Sequence, residues 1–367
     1  MHEMKSIAIA AAGLRRQSEP YLTATVVRVR GSSYRRPGAR MLVTRDRWVS
    51  GSVSGGCLEH DVLRRGWWRT RDGGPHLVTY DARSQDELGW GLGVGCDGTV
   101  DVLLEPASDG GVDAIGFIGR CFEKQERGAL ATLFGGAGKL GAHVAVTAGG
   151  AVESDDLDDG AHRALAGECR LALESGESRV VGCHSAAGPL DALVEAVLPP
   201  PRLFVVGAGH DAVPVVTMAQ TVGWETIVCD ATGRFATRER FATADEVLAL
   251  SPAEVAARVD TSDRAMAVVM AHDYERDRAC LAALLATRVL YIGMLGPRRR
   301  TARMLEELGL EAMDPRVHAP VGLAIGSETP PEIALAIVAE AQSVLTGTSG
   351  APLRERPGAI HAEPASP

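Results

Sequence analysis

Three consecutive prolines, Pro199-Pro200-Pro201, constrain this chain more than any other stretch in it. Without backbone donors and with fixed φ angles, they bar a helix or a central strand from running through. Directly after them comes Arg202–Val206, RLFVV, a buried-strand pattern that runs into Gly207-Ala208-Gly209-His210-Asp211-Ala212. A helical pattern continues to about Val222, with Pro214 acceptable only in its first turn. A second strand, Glu225–Val228, ends in Asp230, about 20 residues beyond the glycines. Strand, GxGxxA, helix, strand and acid form the dinucleotide-binding fingerprint in its structural context, with Gly207, Gly209 and Asp230 as the candidate contacts. Strands at 265–271 and 288–293 then alternate with helices at 275–286, 298–309 and 331–345. The expected fold class is α/β, with a C-terminal Rossmann-like doubly wound parallel sheet over 202–346. A mixed α+β domain is expected to precede it over 1–198, and a Pro- and Ala-rich tail over 347–367 is expected to be disordered.

The chemistry-bearing residues upstream gather in glycine-rich turns. In Gly51–Asp61, GSVSGGCLEHD, Ser54 is expected to cap a helix beginning with Gly55-Gly56, with Leu58, Val62 and Leu63 on its apolar face. Cys57 then falls in the first turn, where unpaired N–H groups and the helix dipole favour a thiolate. The plainer reading is a tight strand-to-helix turn around a small buried thiol. Trp90–Thr99, WGLGVGCDGT, places Cys96 in a second turn of this kind. Cys57 and Cys96 together suit a soft-metal or sulfur-handling site, or they are two unrelated thiols; the sequence does not bring them together. Cys121, Cys169 and Cys183 read as structural.

Seven arginines, Arg28, Arg30, Arg35, Arg36, Arg40, Arg45 and Arg47, crowd one short stretch. Guanidinium matches phosphate oxygens bidentately, so Arg35, Arg36 and Arg40, beside glycines and serines, are candidate phosphate ligands. The alternative is a solvated basic face on a hairpin. Farther on, His272, Asp273 and Arg298–Arg300 follow strand ends, where open α/β sheets bind ligands.

The whole-chain balance narrows the classes. A net charge of −9 argues against a nucleic-acid binder. Seven cysteines without a CxxC match neither a disulfide framework nor a structural zinc site. No apolar run reaches the roughly 18 residues of a membrane helix, and the start reads as a short helix and not as a signal peptide. A cytoplasmic chain with reduced thiols is expected.

These stretches resemble the XdhC/CoxI family, accessory factors for xanthine dehydrogenase and related molybdenum hydroxylases. The resemblance rests on GSSYRRPGARMLV, GSVSGGCLE, WGLGVGCDGTVDVLLEP, LFVVGAGH, VVMAHDYERD, YIGMLGPRRR and HAPVGLAIGSETPPEIALAI, and spans about residues 20–345. It implies a chaperone that binds the molybdenum cofactor (molybdopterin), protects it during sulfuration by a cysteine desulfurase, and delivers it to the apo-hydroxylase. It directs interest to Ser54, Gly55, Gly56 and Cys57, to Cys96, and to Arg35, Arg36 and Arg40, with Cys57 and Cys96 as candidate metal ligands. A homodimer is the expected assembly, without nucleic acid or membrane partners. The alternative is an NAD-dependent oxidoreductase using the C-terminal domain. Against NAD stands Asp211, where the family pattern commonly has an apolar residue; an acid there would repel a pyrophosphate.

Overall fold

The computed structural model describes residues 2–31, 33–81, 98–107, 110–310 and 312–355. Two compact units divide the chain between Pro199 and Pro200. The N-terminal unit starts with helix α1 (His2–Arg16). Strands β1 (Leu22–Arg30), β2 (Arg40–Val43) and β3 (Trp48–Gly51) lead to helix α2 (Cys57–Arg69), followed by β4 (His76–Asp81) and β5 (Thr99–Pro106). These strands form an antiparallel sheet in the order β3-β2-β1-β5-β4. Residues beyond 112 build a second sheet within the same unit. It comprises α3 (Ala114–Glu123), β6 (Gly128–Gly136), β7 (His143–Thr147), β8 (Val152–Ser154), α4 (Asp159–Ser175), β9 (Arg179–Ser185) and β10 (Gly188–Val197), ordered β8-β7-β6-β10-β9.

Alternation along the strands explains how the two sheets stack. Leu22, Ala24 and Val26 of β1 share one face with Met41, Val43, Val102 and Leu104, and that face packs on Leu58 and Val62 of α2. The opposite face contributes Val27 and Leu103, which meet Phe134 and Leu193 of the second sheet. Behind the second sheet, Ala129, Ala131 and Val144 pack on Leu165, Ala166 and Cys169 of α4. The layers therefore run helix, sheet, sheet, helix.

The layer between the sheets also holds charge. Arg40 on β2 forks onto Glu195 on β10, at 2.7 and 2.5 Å, with both side chains nearly shut off from water. His143 on β7 lies between Glu105 of β5 and Asp155. Its Nε2 is 3.2 Å from Glu105, close enough for an ion pair but not aligned as a hydrogen bond. Burial disfavours the imidazolium, yet the two carboxylates outweigh it and push the His143 pKa up to about 9.

The C-terminal unit contains β11 (Arg202–Val206), α5 (Ala212–Thr221), β12 (Glu225–Cys229), β13 (Glu246–Leu248), α6 (Pro252–Val259), β14 (Ala265–Val269), α7 (Tyr274–Leu285), β15 (Tyr291–Met294), α8 (Arg298–Glu307), β16 (Val317–His318) and α9 (Pro330–Thr346). All six strands are parallel, in the order β13-β12-β11-β14-β15-β16. The order reverses between β11 and β14, as in a Rossmann fold. Every residue of β11 and β14 is buried, because helices cover both faces. Leu203 and Val205 pack toward α5 and α9, whereas Phe204 and Val206 pack toward α6, α7 and α8. Gly347 caps α9 in the left-handed conformation, and Leu353–Glu355 forms a 3-10 turn inside the stretch expected to be disordered. Among the described residues, no helix is long and apolar enough to cross a membrane.

Candidate functional site

The Ser54–Glu59 turn departs from the expected start of α2 in one respect. The helix begins at Cys57, after the two glycines, because Gly56 adopts φ 123°, far outside the helical region. Cys57 still stands in the first turn, and Ser54 still caps: its Oγ accepts from Leu58 N and Gly56 N, both at 3.1 Å. Glu59, absent from the candidates drawn from sequence, organises the rest. Its buried carboxylate accepts from Val53 N at 2.9 Å, Ser54 N at 2.6 Å and Gly56 N at 3.0 Å, and from the Ser54 hydroxyl. Glu59 reaches back from the first turn to Gly56 N, one half of a capping box; glycine has no side chain to supply the other half, so the sequence carries no full signature of it.

This scaffold holds a half-buried thiol, packed in part against the core of the first sheet, beside two exposed glycines. Gly55 and Gly56 are exposed, and a Cβ added to Gly56 would meet nothing within 4 Å. Cys57 Sγ lies 3.6 Å from Ser54 Oγ. The Tyr34 ring, 71% exposed, flanks Gly55. By contrast, Cys121 is buried with its pKa pushed up to about 11, and burial raises Cys169, Cys229 and Cys280 to about 12. Those four thiols are packing groups. Cys183 is half-buried and also raised. Cys96 lies outside the described residues, so its meeting with Cys57 is not placed.

The arginine cluster is largely internal wiring. Arg28 pairs with Asp101 at 2.8 Å and Asp191 at 3.2 Å, and Arg30 with Asp101 at 3.3 Å. Arg35 pairs with Glu3, and Arg47 with Glu19. Arg40, expected as a phosphate ligand, is turned inward and spends both ends of its fork on Glu195. Its Nη1 also donates to Gly38 O, and the side chain is buried, away from the surface where Arg36 lies. Of the three arginines singled out, Arg36 alone is exposed and without a carboxylate partner among the described residues.

The crevice of the parallel sheet forms a separate candidate in the second unit. Gly207, at φ 121°, lies so close to the next strand that a Cβ would fall 2.5 Å from Met270 O. Pro214 does fall in the first turn of α5. Asp211 stands at the head of α5 without capping it; its Oδ2 lies 2.8 Å from His272 Nε2. His272 adopts φ 57°, an uncommon conformation for a residue with a side chain. A Cβ on Gly209 would meet Asp211 Oδ1 at 2.4 Å and His272 Cδ2 at 3.6 Å. The acid–imidazole pair thus covers the glycine that a pyrophosphate would approach. Asp230 Oδ1 accepts from Thr232 N and Thr232 Oγ1, at 2.8 and 2.5 Å, closing a local turn. Asp273 caps α7 through Arg276 N, and Arg300 is tied to buried Asp277 at 2.7 Å. Arg298 and Arg299 are exposed at the start of α8.

Comparison with known proteins agrees with this architecture. A family model described as the XdhC and CoxI family matches residues 14–81, and one described as the XdhC Rossmann domain matches residues 203–341. A Bacillus subtilis (strain 168) protein, named as a probable subunit of xanthine dehydrogenase, is 31% identical over 327 residues, covering 88% of this chain and 92% of its own. The uncharacterized protein YqeB of Escherichia coli (strain K12) is 32% identical over 155 residues, 41% of this chain but only 28% of that relative. A crystal structure from Bacillus halodurans, described as a xanthine dehydrogenase, superposes with a TM-score of 0.78 at 28% identity, covering 97% of this chain and 98% of that one. From its first sheet through its parallel-sheet unit, this chain belongs to the XdhC and CoxI family.

Proposed function

We propose that the chain is an accessory protein that binds the molybdenum cofactor, holds it while it is sulfurated, and delivers it to a xanthine dehydrogenase-type molybdenum hydroxylase. The observation that carries this reading is the Ser54–Cys57 turn. It presents a half-buried thiol beside a hydroxyl and two exposed glycines, while a buried carboxylate fixes the backbone beneath. A thiolate is a soft ligand suited to molybdenum or to sulfur. Exposed Arg36 is the guanidinium free to meet the pterin phosphate. A cysteine desulfurase supplies the sulfur, and the accessory protein acts as a homodimer. Cofactor held by so few groups is cofactor that can be released, as delivery requires.

The experiment is to isolate the protein from a cofactor-producing host and assay bound molybdenum and pterin. Roughly equimolar pterin is expected in the wild type, and its loss in Cys57→Ser with the thermal unfolding transition unchanged. Absence of pterin from the wild type, even after anaerobic loading, overturns the reading. The oxidoreductase alternative loses support from Asp211 and His272, which cover the pyrophosphate position of the crevice.

A further inference from the structure

We propose that the outer face of α2, with the β2–β3 turn beside it, is a docking surface for an acidic segment of a protein partner. The proposal stands whether or not the Cys57 turn holds cofactor. Three of the five tryptophans fall on this face. Trp68 is 64% exposed, and Arg71 stacks over it with its guanidinium carbon 4.7 Å from the ring centre. Trp67 donates its Nε1 to Thr44 O at 3.0 Å, which ties α2 to the β2–β3 turn, and Arg45 of that turn stacks over its ring at 4.9 Å. Trp48, 48% exposed, pairs across the strands with Val43, whose side chain packs toward α2, so Trp48 lies on the same side of the sheet. Exposed Arg64 lies one helical turn before Trp68, and exposed Arg71 follows the C-terminal end of α2.

Charge decides the kind of partner. Arg45, Arg64 and Arg71 have no carboxylate partner among the described residues, unlike Arg28, Arg30, Arg35, Arg40 and Arg47 in the same unit. Three guanidiniums without a carboxylate partner among the described residues, two of them over indole rings, call for carboxylates. Tryptophan and arginine are also the side chains that dominate protein–protein contact energies. A polyanion as extended as nucleic acid would meet the repulsion of a chain whose net charge is −9. A short acidic protein segment, with fewer charges and contact confined to this face, meets less of it.

The test uses the full chain and a dye-labelled peptide of alternating glutamate and aspartate, followed by fluorescence anisotropy, with the asparagine–glutamine peptide as its neutral counterpart. Saturable binding of the acidic peptide is expected, weakening as salt rises to about 0.5 M. Trp68→Ala and the double variant Arg45→Glu/Arg71→Glu should each weaken it by about tenfold or more. Arg170→Glu, on exposed α4 surface, should leave it unchanged. All these side chains are at the surface, and unfolding curves confirm that the variants fold. Equal binding by Trp68→Ala and wild type overturns the proposal. So does tighter binding of a DNA duplex or an anionic lipid vesicle through the same residues, or self-association of the chain that Arg71→Glu abolishes.

Discussion

Glu59 shows how much one side chain can settle at the residue scale. A carboxylate buried at the foot of α2 accepts three backbone N–H groups and a hydroxyl, so the Val53–Gly56 backbone is fixed from beneath. Removing it strands the buried Val53 N–H and loosens the partly buried Ser54 and Gly56 donors. Glu59→Ala is therefore expected to destabilise the N-terminal unit by about 2–4 kcal/mol, read from denaturant unfolding. Glu59→Gln should cost less, because its amide oxygen still accepts while its NH2 group faces a donor. If Glu59→Ala unfolds like the wild type, the turn is held by something other than this carboxylate. Arg40 teaches the converse. Its glycine-rich setting suggested a phosphate ligand, but its partner Glu195 lies 155 positions away in sequence. No local pattern announces a pairing of that range.

Between elements, the two antiparallel sheets are joined by charge as well as by Val27, Leu103, Phe134 and Leu193. His143 titrates within the range of ordinary buffers. Its folded pKa of about 9 stands above the unfolded value of 6.5. The stabilisation is thus complete below about pH 6.5 and is lost as pH rises toward 9, amounting to about 3 kcal/mol at most. Unfolding of the N-terminal unit is expected to become easier across that window, and His143→Gln should flatten the slope. A wild-type profile that stays flat from pH 6.5 to 9 would show that the imidazole does not carry this charge. Elements of this kind differ in how visible they are before folding. The parallel sheet was legible because its signals are local: an apolar run, glycines, a helical period, and again an apolar run. Strand β13 and helix α6 went unassigned, although Ser251, Pro252 and Glu254 spell a capping box that the structure forms. That residues 112–198 close a sheet of their own depends on strand pairing across long intervals, as between β6 and β10, and such register is not written in either strand alone.

At the scale of the whole molecule, two units with separate cores divide the chemistry. The glycine-rich thiol turn belongs to the N-terminal unit, and the C-terminal unit carries the sheet of a dinucleotide-binding fold with the Asp211–His272 pair beside Gly209. Position 211 decides the second point. An acid at the head of α5 cancels the positive field that helix N-termini offer to phosphates, and its bond to His272 spans the reversal point between β11 and β14. ADP-ribose, which has the diphosphate of NAD without its nicotinamide, isolates the effect. The wild type is expected to bind it weakly or not at all in calorimetric titration. Asp211→Ala removes the charge and uncovers Gly209, and should raise the affinity by about tenfold, the equivalent of 1–2 kcal/mol. His272→Ala uncovers the same glycine but leaves the acid unpaired at the helix head, so it should bring no such gain. The two variants together separate obstruction from charge: a gain in both means that bulk alone closes the crevice. Micromolar binding by the wild type, unchanged in Asp211→Ala, would mean that the pair does not guard the site, and a nicotinamide-dependent activity would again be the better account of this unit.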